Sequence, residues 1–458
     1  MKKLVWQLLT LTIALAFVLS ACGPAATPEA PAAPAATAAP AQPTAVPPTA
    51  APTAVPATAA PTAVPQTTVN ITHYFSDSLG KKWISQLTDG FGAANPQFKV
   101  ADNTTGHEDF KTQILVMLAG NNPPDIFSYW AGARTQFVVD ANRLMPLDDW
   151  WTANKMDDVI PASLKPLATY NGKIYAVPMN AHIVGFFYNP KAMAKAGITT
   201  MPTTWTDFLA MCDKLKAAGI APFALGSKNQ WPAQYWFDYL VSRTAGPDYR
   251  TQLMLGKAAY TDPQVGKALE TWKMLIDKGY FYKNANAYDW TDAADQVAKG
   301  DAAMTLMGTW ITGYWDGKGL KAGTDYEFMP FPSIDPAIPM VVHGSIDAWT
   351  IPADTHNKDG ALALLAWFLK PESQAVWAKG QGALAANKNT DPSIYNPVMK
   401  EAADYLAKTN FLSGYDLSTT PPMAVGGLNM FALMMNDPSK YQDYMKQTED
   451  VAKQVFKK

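Results

Sequence analysis

The chain is short of cysteine, histidine and charge, and each shortage closes off a class of function. Its 458 residues hold two cysteines and five scattered histidines, which argues against a metal cluster. His107-Glu108 opens like a zinc-protease helix, but Lys111 stands where the second histidine belongs. No C-x-x-C, G-x-S-x-G or phosphate-binding G-x-x-x-x-G-K-[ST] occurs. Lysine and arginine number 37 against 39 aspartates and glutamates, so no nucleic-acid or polyanion surface is indicated. The apolar run Leu8 to Leu19 is broken only by threonines, yet it is too short to cross a bilayer.

That run follows a basic Met1-Lys2-Lys3 and ends in Leu19-Ser20-Ala21-Cys22-Gly23. The pattern reads as a secretory signal over 1–21 and resembles the bacterial lipobox, in which Cys22 becomes the lipid-bearing first residue of the mature protein. The alternative is ordinary cleavage beside an incidental cysteine. With lipid on Cys22, Cys212 has no partner for an intramolecular disulfide. Thr204 and Asp207 form a capping box, and Phe208, Cys212 and Leu215 share one face of the helix it starts, so Cys212 reads as a buried structural thiol. Residues 22–68 are an Ala/Pro/Thr-rich tether with Pro-Thr-Ala-Val-Pro recurring from Pro43, Pro52 and Pro61. Such a tract favours extended polyproline II and a semi-rigid stalk.

The remaining 69–458 suits two domains. Strand patterns alternate with amphipathic helices, which predicts an α/β class with largely parallel sheets. Strands are expected at Val69–Phe75, around Phe98–Val100, at Pro124–Ser128, Lys173–Pro178, Val184–Tyr188, Ala302–Met307 and from Val341. Helices are expected from Thr204 to Ala218, from Val265 to Lys278 and from Gly360 to Leu369, with a helical remainder after Met399. The chain is expected to cross between domains near Met179 to Ala181.

Ligands of open α/β sheets sit beyond the carboxyl ends of strands. That rule selects Tyr74 and Asp77 after the first strand, Tyr129 and Trp130 after the third, Trp310 after the strand at Ala302, and Asp347 and Trp349 after that at Val341. His107, starting a helix, is a further candidate. With 15 Trp and 19 Tyr, the chain has more large rings than a core usually needs. Rings stack on the C–H faces of sugars and carboxylates accept from hydroxyls, so the mixture suits a carbohydrate. Each residue also has an ordinary reading: a core tryptophan, a local cap, a solvated first turn.

Several segments together resemble the extracellular solute-binding proteins of family 1, the maltose-binding-protein-like partners of carbohydrate ABC importers. They are Leu118-Ala119-Gly120-Asn121-Asn122-Pro123-Pro124-Asp125-Ile126-Phe127, Leu144-Met145-Pro146-Leu147-Asp148-Asp149, Asn171 to Pro178, Phe187-Tyr188-Asn189, Met201 to Phe208, Gly300 to Met304, and Gly308-Thr309-Trp310. The resemblance implies a two-lobe periplasmic-binding-protein-like fold of type II that closes by a hinge. One lobe would hold 69–180 and 341–395, the other 181–340 and 396–458. It adds His182, standing where relatives carry a ligand-contacting carboxylate, and Trp231, in a region that supplies aromatic contacts. It matches Trp310 to the family's sugar-stacking tryptophan. It also implies a permease partner, an extracytoplasmic place on a membrane anchor, a monomer, and neither cofactor nor catalysis. A secreted glycosidase or lyase, a sensor subunit, and the same fold with a non-sugar solute are the competing readings.

Overall fold

The computed structural model describes residues 66–457. The signal, Cys22 and the tether up to residue 65 therefore lie outside the described residues, and the first strand begins at Thr67. The principal elements are β1 (Thr67–His73), α1 (Ser78–Ala94), β2 (Phe98–Thr104), α2 (His107–Ala119), β3 (Ile126–Trp130), β4 (Ala176–Tyr188), α3 (Trp205–Ala217), β5 (Ala221–Ala224), α4 (Gln234–Thr244), β6 (Ala302–Gly308), α5 (Trp310–Gly317), β7 (Val341–Thr350), α6 (Lys358–Phe368) and β8 (Asn410–Ser413). Among the described residues, no helix is long and apolar enough to cross a membrane.

Local chemistry sets several of these boundaries. Asp77 caps α1 by accepting from the Leu79 and Gly80 amides, and Thr204 caps α3 by accepting from the Asp207 amide. Phe208, Cys212 and Leu215 are buried on α3, and burial pushes the Cys212 thiol upward, as expected of a structural cysteine.

The strands join in the order β2-β1-β3-β7-β4-β6-β5, with β8 added beside β7 and short pieces at Glu327–Met329 and Leu384–Ala385 added beside β4. Pairing is parallel at both ends: β1 with β2 and β3, and β5 with β6. The centre is antiparallel, β7 against β3 and β4, and β4 against β6. The expectation of largely parallel sheets fails there for a topological reason. β4 carries the chain out of the first lobe and β7 brings it back, so the two must run in opposite directions.

Two separate cores flank this centre. The first gathers residues from Val69 to Met179 with Ala348 to Ala386 and Leu417. The second gathers Ile183 to Phe331 with Val342 and residues from Val398 to Ala452. The boundary falls inside single strands: Met179 and Ile183 of β4, and Val342 and Ala348 of β7, belong to opposite cores. A small cluster of Ala131, Ala181, Ile346, Leu384 and Met399 fills the joint. β4 is buried at all 13 positions, so the two extended stretches expected near the crossing are one strand's pair of halves, preceded by a two-residue strand at Lys173–Ile174. Buried on both faces, β4 shows no alternation for a reader of sequence to follow.

Asp125 ties down the first core. One carboxylate oxygen accepts from the Asn70 amide at 2.7 Å and its side chain at 3.1 Å. The other accepts from the Thr355 hydroxyl and the His356 and Asn357 amides at 2.8–3.1 Å. It thereby joins β1, β3 and the turn into α6.

Candidate functional site

A cavity of about 700 Å³ opens between the two cores. β1 delivers Tyr74 to it, and α2 brings His107 at its first turn. Trp130 closes β3, where side chains alternate, so Trp130 lines the cavity while its neighbour Tyr129 is fully buried in the first core. The Tyr74 and Trp130 rings stack at 4.1 Å with 17° between planes, and the His107 ring stands edge-on to both.

The second core supplies the facing wall. Trp310 begins α5 and lies directly over Gly308, where an added Cβ would come within 2.0 Å of its indole. Trp231 sits 5.8 Å from Trp310, and the His107 ring reaches across to within 5.9 Å of Trp231. Rings from both cores thus face one space.

The floor is polar. Tyr74 donates its hydroxyl proton to Asp347 Oδ1 at 2.6 Å, and Asp347 Oδ2 lies 3.6 Å from His182 Nε2. His182 Nδ1 is bonded to the Thr309 hydroxyl of the second core at 2.9 Å. Burial drives the His182 pKa down to about 3, so its contact with Asp347 pairs a neutral imidazole with a carboxylate and is no ion pair. Burial also raises Asp347 to about 6, against the opposing hydrogen bonds of Tyr74 and Asn180. Asp347 and His182 stand on β7 and β4, the two strands that join the cores.

Of the residues selected from sequence, Tyr74, Asp77, His107, Trp130, His182, Trp231, Trp310 and Asp347 all line the cavity. Asp77 stands at its exposed lip, with one oxygen engaged in capping α1. Trp349 is a correction. It is fully buried in the first core, stacked on Phe368 at 4.6 Å. Two residues on from Asp347 along β7, whose register with β3 is unbroken, it stands deeper in the first core beside Phe75 and Phe368 and does not reach the cavity. Asp347 and Trp130 likewise lie within their strands and not beyond them.

Sequence reasoning missed a second polar group. Lys111 of α2 donates to Glu108 at 2.9 and 3.1 Å and to Asp416 at 3.3 Å. Arg134 donates to the Asp416 carbonyl at 3.1 Å, and its guanidinium lies 3.5 Å from the Asp416 carboxylate. The Asp416 amide in turn donates to Gln234 of α4 at 2.8 Å. Burial alone would raise the Asp416 pKa, but the Lys111 and Arg134 charges hold it below the ordinary value. Asp416 sits between Tyr415, packed in the second core, and Leu417, packed in the first. Its segment is held by the buried Arg250–Asp238 pair: Arg250 donates to the Ser413 carbonyl, and Asp238 accepts from the Tyr415 amide. The first-core side chains Lys111 and Arg134 therefore meet the second core through Asp416. Tyr235, Trp290 and Tyr314 also line the cavity unforeseen, the high ring count having been their only signal.

Comparison with known proteins agrees with this architecture. Residues 76–375 match the bacterial extracellular solute-binding protein family. An uncharacterised ABC transporter extracellular-binding protein of Pyrococcus horikoshii is 30% identical over 337 residues, 72% of this chain and 74% of the relative. A probable sugar-binding periplasmic protein of Mesorhizobium japonicum is 28% identical over 309 residues, 67% and 72% of the two chains. The crystal structure of the bacterial solute receptor AcbH, described as having an exclusive preference for β-D-galactopyranose, superposes with a TM-score of 0.79 at 27% identity, covering 85% of this chain and 99% of the other. The chain belongs to the bacterial extracellular solute-binding protein family, and is a substrate-binding receptor that works with an ABC importer, not an enzyme.

Proposed function

We propose that the cavity captures a carbohydrate of at least two sugar rings. The observation that carries this reading is the set of rings facing one space from both cores, Tyr74 and Trp130 on one side and Trp231 and Trp310 on the other. Flat apolar faces suit the C–H faces of pyranoses, while Asp347 and His182 on the floor suit hydroxyls. A hexose has twelve non-hydrogen atoms, each taking less room than a water's ~30 Å³, so one ring fills less than about 360 Å³. That leaves half of the roughly 700 Å³ for a second ring.

The ligand-contacting set we assign is Tyr74, Asp77, His107, Trp130, His182, Trp231, Trp310 and Asp347. The lobes we assign are 69–180 with 341–395, and 181–340 with 396–458, the joining strands β4 and β7 acting as the hinge. A sugar touching both lobes stabilises their closed arrangement, which the permease then reads. Cys22 as a lipid anchor, with the Ala/Pro/Thr tether as a stalk, keeps the receptor beside that permease, and it acts as a monomer.

The test is a thermal-shift screen of the chain against mono- and oligosaccharides, followed by chromatography of the sugars. A rise in melting temperature with an oligosaccharide that returns unchanged supports the proposal. A rise with a non-carbohydrate solute alone refutes it.

A further inference from the structure

The wall of the cavity carries six carboxylates, Asp77, Glu108, Asp109, Asp289, Asp347 and Asp416, and two lysines. Neither lysine is free to meet a ligand. Lys111 is bonded to both oxygens of Glu108 and to Asp416, and only 11% of its side chain is exposed. Lys318 donates to both oxygens of Asp295 at 2.6 Å. No arginine lines the cavity among the described residues. The histidines do not redress the balance: His107 leans on Glu108 at 2.8 Å, and His182 is a buried neutral ring.

Asp347 is the decisive group. It is 5% exposed, it points into the space between the aromatic walls, and its Oδ2 has no cation beside it. A ligand carboxylate, sulfate or phosphate lodged between Tyr74 and Trp310 would meet that charge with little water between them. We infer that the cleft discriminates by charge, accepting neutral or basic saccharides and rejecting uronic acids and other acidic sugars, with Asp347 as the specificity-determining residue. This rests on the carbohydrate reading of the same cavity and adds the class of sugar. Two like charges about 6 Å apart, at the effective dielectric of a protein site, separate acidic from neutral sugars by about a hundredfold in affinity at pH 8, where protonating Asp347, held at about 6, costs as much as the repulsion.

The experiment is isothermal titration of the full chain at pH 8 with matched probes: galactose against galacturonic acid, cellobiose against cellobiouronic acid, and N,N′-diacetylchitobiose against chitobiose, its basic counterpart. The expected result is that a neutral probe binds, and that any acidic partner of a binding probe binds about a hundredfold more weakly. Asp347→Asn, which keeps the shape and the acceptor for Tyr74, should narrow that gap to less than about tenfold. Asp109→Asn, exposed in the first turn of α2, should narrow it by a smaller factor. An acidic sugar binding as tightly as its neutral partner overturns the charge rule while leaving a carbohydrate receptor. A gap unchanged in both variants overturns the assignment to these carboxylates. Failure of every saccharide to bind overturns the inference together with the reading beneath it.

Discussion

Replacing Asp347 by Asn should make the ligand-free protein more stable at neutral pH and worse at its task. In the folded chain burial holds this carboxyl at about 6 against an ordinary 3.8. The folded state therefore binds the proton more tightly than the unfolded state does. The stability this group contributes is whole below pH 3.8 and is lost as pH rises through about 6. At about 1.4 kcal/mol per pH unit, the loss at pH 7 is about 3 kcal/mol. Asparagine, which resembles the protonated form and still accepts from Tyr74, escapes that loss. For a folded part of roughly 390 residues, with an unfolding entropy of about 2 cal/mol/K per residue, 3 kcal/mol corresponds to about 4 °C in Tm. Differential scanning calorimetry of both proteins from pH 4 to pH 8 would read this directly. The variant should melt about 4 °C higher at pH 7, the curves should converge near pH 4, and the sugar-induced rise in Tm should shrink in the variant. Equal melting temperatures at pH 7, or a difference as large at pH 4, would refute the claim that Asp347 is held charged at a penalty.

Four further outcomes follow from the geometry. Trp310→Ala removes a wall ring and should weaken sugar binding about thirtyfold, about 2 kcal/mol, with circular dichroism unchanged. Gly308→Ala places a Cβ where the Trp310 indole lies, so calorimetric titration should show at least tenfold weaker binding although Trp310 is still present. Asp125→Ala strands three backbone amides and two side chains and should cost about 3 kcal/mol or more in urea denaturation. Lys111→Ala leaves the buried Asp416 with Arg134 as its remaining neighbouring cation and should cost about 3 kcal/mol in the same assay.

Much of this was readable in the chain because several signals are local. The capping box at Thr204, the helical face of Cys212 and the strand ends at Tyr74 and Trp130 each announce themselves within a dozen residues. What escaped depends on register or on distance. Trp349 was misplaced because a strand pattern gives the face of a residue but not how far along the strand the cavity reaches. β8 was taken into a helical remainder because Asn410–Ser413 is too short to show alternation. Asp416 lies 305 positions from Lys111, and no pattern in sequence pairs one lysine among many with it. Asp125 was noticed as part of a motif, but its role as a staple needed the turn 232 positions away.

The strands that join the two cores also dictate when the chain can finish folding. One edge of β3 pairs early with β1, but the other waits for β7, with Phe127 accepting from Thr350 across 223 positions, and one oxygen of Asp125 waits for Asn357. Neither half is contiguous, so the first core stays open until residues beyond 348 arrive. Pairings this remote slow folding, because loop closure must be paid before the contacts return anything. For a receptor whose family works outside the cytoplasm, that delay is useful. A chain whose first core is completed only by a late return strand stays open for longer, and the order of its strands does the work of a timer.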